Sequence, residues 1–182
     1  MAKSISGMIV FCLVSLVFQT NAKADSVWEL ESGQVTYTVT HLLHDSQGTS
    51  RAVKGRGHCG KEGCEFLVAA PVKSFESGNA NRDTHMLEVV KGALHPIVSV
   101  RIDLKGGAVA GDHQLTAKVQ FAGQEKTYEN LKISLVKEAN KIVTKGHWDL
   151  DLDDFKIEKP ALLGKSIDKR LGLDLTATWI GG

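Results

Sequence analysis

Few groups in this chain have the types and spacing to do chemistry. Arg82-Asp83-Thr84-His85 sets a guanidinium, a carboxylate and an imidazole within four residues. A guanidinium is a planar fork of donors suited to phosphate, carboxylate or quinone oxygens. The same three side chains could instead tie a helix to a neighbouring loop, and the sequence leaves both roles open. Cys59 and Cys64 flank a glycine-bounded turn, "CGKEGC". As thiolates they could hold a metal with His58; as a disulfide they would pin a hairpin. His41 and His44 would share a face of a helix but point to opposite faces of a strand, which weakens a shared metal site.

Other patterns fail on inspection. Gly55-Arg56-Gly57-His58-Cys59-Gly60 fits G-x-G-x-x-G, but a strand-like run, "KEGCEFLVAAPV", follows where a dinucleotide site needs a helix. Asp149, Asp151 and Asp153 begin with the spacing of a calcium loop, yet the sixth position is Asp154 and the twelfth Pro160. That acidic edge reads as a solvated strand face. There is no G-x-S-x-G, H-E-x-x-H or C-x-x-C-H motif. The sequence therefore predicts a protein that is not an enzyme, with no cofactor and no metal site.

The elements that must position these groups are mostly strands. Val35, Tyr37 and Val39 alternate with threonines, and Val98, Val100, Ile102 and Leu104 share a face. The same period of two recurs in Leu115 to Phe121, Leu131 to Leu135, Trp148 to Leu152 and Leu171 to Trp179. Turn signals such as "KGGAVAGDH" and "KEANK" separate these runs, giving about eight antiparallel strands, each with one apolar face. Such a sheet must stack or close, so an all-β sandwich or barrel follows, and periodicity alone does not choose between them. One segment breaks the rule. Leu87, Val90 and Leu94, with Met86 beside them, recur at helical spacing, Asn79 or Asn81 can cap the start, and Gly92 and Pro96 stop the run. A helix over about residues 82–93 is expected as a plug over one end of the β core. It is too short to be stable without packing on the sheet.

Residues 1–24 read as a cleavable signal peptide: Lys3, an apolar run from Met8 to Phe18, and Ala22-Lys23-Ala24 as the cleavage site. The mature chain, Asp25 to Gly182, then forms one domain, with no transmembrane segment expected in it. Export places Cys59 and Cys64 in an oxidising setting, which favours the disulfide. The leader removes two of the 22 basic residues, leaving them one short of the 21 acidic ones. So even a balance argues against nucleic acid or an anionic membrane as the main partner.

The segment "SGNANRDTHMLEVVKGALHPIVSVRIDL" resembles the YceI-like family of exported bacterial lipid-binding proteins, through Arg82-Asp83, then His85 and Met86, a short helix, and a proline opening an apolar strand. "VTYTVTHLL", with His41, and "FKIEKPALLGKSIDKRLGLDLTA" are weaker matches in register. The resemblance implies an antiparallel eight-stranded lipocalin-like barrel in the periplasm, enclosing a polyisoprenoid, isoprenoid quinone, fatty acid or amide. On this reading Arg82, Asp83, His85, Leu87, Val90, Leu94 and His41 are the candidate ligand-binding residues. The oligomeric state stays open, a homodimer included. Here the family's Phe-Gly is Phe155-Lys156, and its phenylalanine-rich Gly-x-Phe stretch is "SRAVKGRGHCG". The competing expectation is a β domain filled by Trp148, Phe121 and Trp179, without a ligand, serving as an envelope stress or assembly partner; an enzyme or a metal- or redox-cofactor-binding protein is the remaining alternative.

Overall fold

The computed structural model describes residues 25–40, 45–159, 161–162 and 165–181. The expected leader, 1–24, and His41 and His44 lie outside the described residues.

The alternating segments form strands β1 (Ser26–Thr40), β2 (Asp45–Ser50), β3 (Lys54–Cys59) and β4 (Gly63–Pro71). Helix α1 (Ala80–Val89) follows, then β5 (Ile97–Lys105), β6 (Gly111–Phe121), β7 (Gln124–Glu138) and β8 (Lys141–Asp151). A two-residue pair, β9 (Ala161–Leu162) and β10 (Lys165–Ser166), precedes the last strand, β11 (Arg170–Gly181). Each long strand is antiparallel to its neighbours, in the order β11-β8-β7-β6-β5-β4-β3-β1, and β11 pairs back onto β1. The sheet is therefore closed. β2 and β3 both pair with β1, β2 along Val35–Thr40 and β3 along Ser26–Glu29, so they form one interrupted strand position. The result is an eight-stranded antiparallel barrel with one α-helix among the described residues. Closure removes most of the sheet edges that an open sandwich must protect; among the described residues β2 ladders only with β1, and its outer side meets the chain after β4 through the Thr49–Glu76 bridge.

The apolar alternation faces inward, as the period of two requires. On β11, Leu171, Leu175, Ala177 and Trp179 are buried; on β5, Ile102 and Leu104 are. The interior divides into two apolar clusters. One, around Phe66, Ile142 and Trp179, fills the end that holds the β3–β4 hairpin. There Cys59 and Cys64 face each other across the ladder, are joined as a disulfide and are buried. The other, around Leu150, Leu152 and Phe155, lies toward the helix end.

α1 starts earlier and stops sooner than the spacing predicts. Asn79 caps it, its Oδ1 accepting from the Arg82 backbone N–H at 3.1 Å. Its C-terminus is a Schellman motif: Gly92 N–H bonds Leu87 C=O at 2.7 Å and Lys91 N–H bonds Glu88 C=O at 3.1 Å. Lys91, at φ 55°, takes the left-handed position. Gly92 serves a different need, because a Cβ there would meet the Leu87 side chain at 2.9 Å. The chain thus leaves the helix at Val90, short of Ala93.

Candidate functional site

An apolar cavity of about 270 Å³ lies between α1 and the barrel interior. β1 contributes Val35, Tyr37 and Val39, the residues that alternation had placed on one face. β4 and β5 contribute Val68, Ala70, Val98 and Val100, and the far wall is Leu150, Leu171 and Leu173. α1 and the turn after it cover this space with Arg82, His85, Met86, Val89 and Val90. These five sit at i, i+3, i+4, i+7 and i+8, the spacing of one helix face.

That face differs from the one the apolar residues alone suggest. Leu87 packs at the margin of the helix-end cluster and against Gly92, and is not a lining residue. Leu94 is 75% exposed, because the chain has left the helix before reaching it. Val90 does reach the cavity and is buried. Met86 and Val89 complete the lining. Sequence reasoning undervalued this stripe because Arg82 and His85 interrupt it with polar groups; their presence on an inward stripe was the available signal.

The polar groups gather at the rim. Arg82 Nη1 donates to the hydroxyl of Ser46, a buried residue of β2, at 3.4 Å. Among the described residues no carboxylate lies within ion-pair distance of the Arg82 guanidinium. Its neighbour Asp83 is used elsewhere, accepting from the Ser77 backbone N–H at 3.0 Å and so fastening the loop before the helix. His85 keeps a 60% exposed side chain, with Nδ1 3.6 Å from Glu88 Oε2. Since it also lines the cavity, the cavity meets solvent beside it.

Tyr37 completes the rim. Its ring lies 5.9 Å from that of Phe75 and covers Gly48 on β2, where a Cβ would come within 2.5 Å of the ring. Burial raises the phenol pKa and the Asp83 carboxylate adds to this, while Arg82 opposes it. The hydroxyl is neutral at physiological pH and can donate. The arrangement is thus an apolar chamber with a cation, a phenol and an imidazole at one side.

Among the described residues no cluster of His, Cys, Asp and Glu could hold a metal, and no helix is long and apolar enough to cross a membrane. Asp149, Asp151 and Asp153 do not converge. Asp151 caps the turn after β8 and pairs with Lys169, while Asp153 pairs with Lys159.

No protein-family model matches the chain, and no curated protein matches it. Solved structures do. A polyisoprenoid-binding domain from Saccharophagus degradans, implicated in plant cell wall breakdown, superposes with a TM-score of 0.70 at 13% identity, over 85% of this chain and 98% of that one. BcnA of Burkholderia cenocepacia gives 0.70 at 9% identity, over 80% and 95%. The YceI protein of Campylobacter jejuni gives 0.51 at 13% identity, over 97% and 92%. At such identities the likeness is one of fold, and the fold is the YceI-like, lipocalin-like barrel that the Arg-Asp-x-His segment had implied.

Proposed function

We infer that this YceI-like barrel binds an amphiphilic lipid, its hydrocarbon chain in the chamber and its polar head at Arg82. The observation that carries the reading is the pairing of an apolar cavity with a rim cation that has no carboxylate partner among the described residues. The superposed polyisoprenoid-binding domain supports it by analogy of fold. A methylene occupies about the volume of a water, roughly 30 Å³, so the cavity takes roughly nine. Their transfer from water contributes about 7 kcal/mol, and association costs at least about 4 kcal/mol of it. A chain alone is held weakly. A charge-assisted hydrogen bond to the head adds about 1.5–3 kcal/mol, which makes Arg82 part of the site rather than an ornament of it.

On this reading the protein works in the periplasm, exported by residues 1–24, and carries or sequesters its lipid without transforming it. The Cys59–Cys64 disulfide agrees with an oxidising compartment. Native mass spectrometry of protein purified without detergent, followed by solvent extraction, tests the proposal. A bound lipid is the expected result. An empty barrel that also fails to take up labelled isoprenoids and fatty acids would overturn it.

A further inference from the structure

The chamber does not run the length of the barrel. Below Val68 and Val100 the inward residues become Phe66 and Ile102, and a separate void of only about 30 Å³ lies among them. The obstruction is built. Phe66 and Trp179 meet edge-on with ring centroids 4.9 Å apart. Each lies against a glycine of β3: a Cβ on Gly57 would come within 2.2 Å of the Phe66 ring, and one on Gly55 within 2.8 Å of the Trp179 ring. Only a strand without side chains at those two inward positions leaves both rings room to cross the lumen. This accounts for "KGRGHC", the glycine-rich run that resembled a nucleotide motif. The indole is also anchored, since Nε1 donates to the Thr144 hydroxyl at 3.3 Å and that hydroxyl donates to Ala177 C=O at 3.3 Å. Swinging Trp179 aside would strand a buried N–H. The ring sits on Gly55, which pairs with Val68 of the chamber wall, so a chain passing that wall meets a fixed obstruction, a floor, behind it.

We propose that Phe66 and Trp179, seated on Gly57 and Gly55, set the chain length this protein accepts, making its ligand a medium-chain or short-isoprenoid amphiphile of roughly nine enclosed carbons. The inference rests on the lipid-binding reading above and specifies it. Longer chains bind only with the excess outside the rim, where it gains nothing from burial.

The test is a calorimetric affinity series with saturated fatty acids of about six to about sixteen carbons. It compares the wild-type protein with Trp179→Leu and Ala70→Leu. In the wild type, affinity should rise about fourfold per methylene and level off near nine. Ala70 lines the chamber, so Ala70→Leu fills it and should move the break down by about three carbons. Trp179→Leu lowers the floor and should move it up by about two. Thr144 keeps its bond to Ala177 in that variant; should it still fail to fold, Ala70→Leu decides. Affinity that climbs to the longest chain in the wild type, or one break common to every folded protein, would overturn the floor while leaving lipid binding intact. Absence of binding at every length in the wild type would overturn the lipid-binding reading, and the floor with it.

Discussion

Arg82 separates a site from a scaffold. Its backbone belongs to the helix start, while its side chain reaches Ser46 across the rim. Arg82→Ala should weaken binding of a fatty acid by about ten- to a hundredfold, the worth of a charge-assisted hydrogen bond, and leave a hydrocarbon of equal length unaffected. Calorimetry with both ligands beside the melting temperature checks this; equal losses tracking a lower melting temperature would mean that Arg82 only anchors α1. A second residue-scale device lies outside the cavity. Tyr128 donates to Asp154 Oδ2 at 2.9 Å and Lys126 to Oδ1 at 2.8 Å, tying β7 to the turn after β8. Lys126 first, then the Tyr128 hydroxyl, hold the Asp154 carboxyl below its ordinary value of 3.8, and burial with that bond raises the phenol pKa. A depressed carboxylate stabilises the fold above its ordinary pKa and loses that contribution as pH falls through the folded value. The melting-temperature gap between wild type and Asp154→Asn should therefore be full near about pH 6 and shrink toward about pH 2. A gap constant across that range would count against the pairing.

At the scale of elements, α1 is a cover held at its ends, with no residue of its own fully buried. Its Asn79 cap should thus matter to ligand exchange as well as to folding. Asn79→Ala is expected to cost about 1 kcal/mol in urea unfolding, and to speed release of a fluorescent fatty acid in stopped flow. Unchanged release despite the lost stability would show that ligands leave by another route. The β3–β4 hairpin is stapled at the opposite end by Cys59–Cys64, and closing so short a loop contributes about 2 kcal/mol. Replacing both cysteines with serine should lower stability by about that amount and leave fatty-acid affinity near the wild-type value, because the bridge lies beyond the Phe66–Trp179 floor. Thiol titration of the unfolded, unreduced protein should find essentially no free thiol.

For the whole molecule, one of the short seams of the barrel is between β7 and β8; the β5–β6 ladder is of the same length. The β7–β8 ladder runs only from Ser134 opposite Lys145 to Glu138 opposite Lys141. Past it, Trp148 Nε1 bonds Lys132 C=O at 2.8 Å, and Phe155, 1% exposed, packs with its ring 5.5 Å from that of Phe121 and 6.4 Å from that of Tyr128. Side chains close what hydrogen bonds leave open. Phe155→Ala should destabilise the protein by about 3–5 kcal/mol, among the largest effects of any single truncation here, since it leaves a cavity and opens the seam together. Denaturant unfolding measures it, and a cost under about 1 kcal/mol would show that the seam needs no plug.

Period-two alternation alone determined that Val35, Tyr37 and Val39, Val98 to Leu104, and Leu171 to Trp179 would each present one apolar face, because side chains on a strand must alternate. Helical spacing and a capping asparagine determined, too, that one short helix would interrupt them. Whether those faces stacked or closed was a long-range matter: the pairing of β11 with β1 joins the first and last strands described, and no local pattern encodes it. The helix face was settled the same way. Leu87 and Leu94 carry the stronger apolar signal, but the turn at Val90 and Lys91 sends Leu94 into solvent, and docking on the barrel turns Arg82, His85 and Met86 inward. Of the residues expected to fill the interior, Trp179 and Trp148 pack in one cluster, while Phe121 lines the cavity at the other end, so the interior is filled over only part of its length. Trp179 and Gly55 are more than a hundred residues apart in sequence. Only the closed barrel brings the ring of one over the bare backbone of the other, and so decides how much of an apolar interior remains empty.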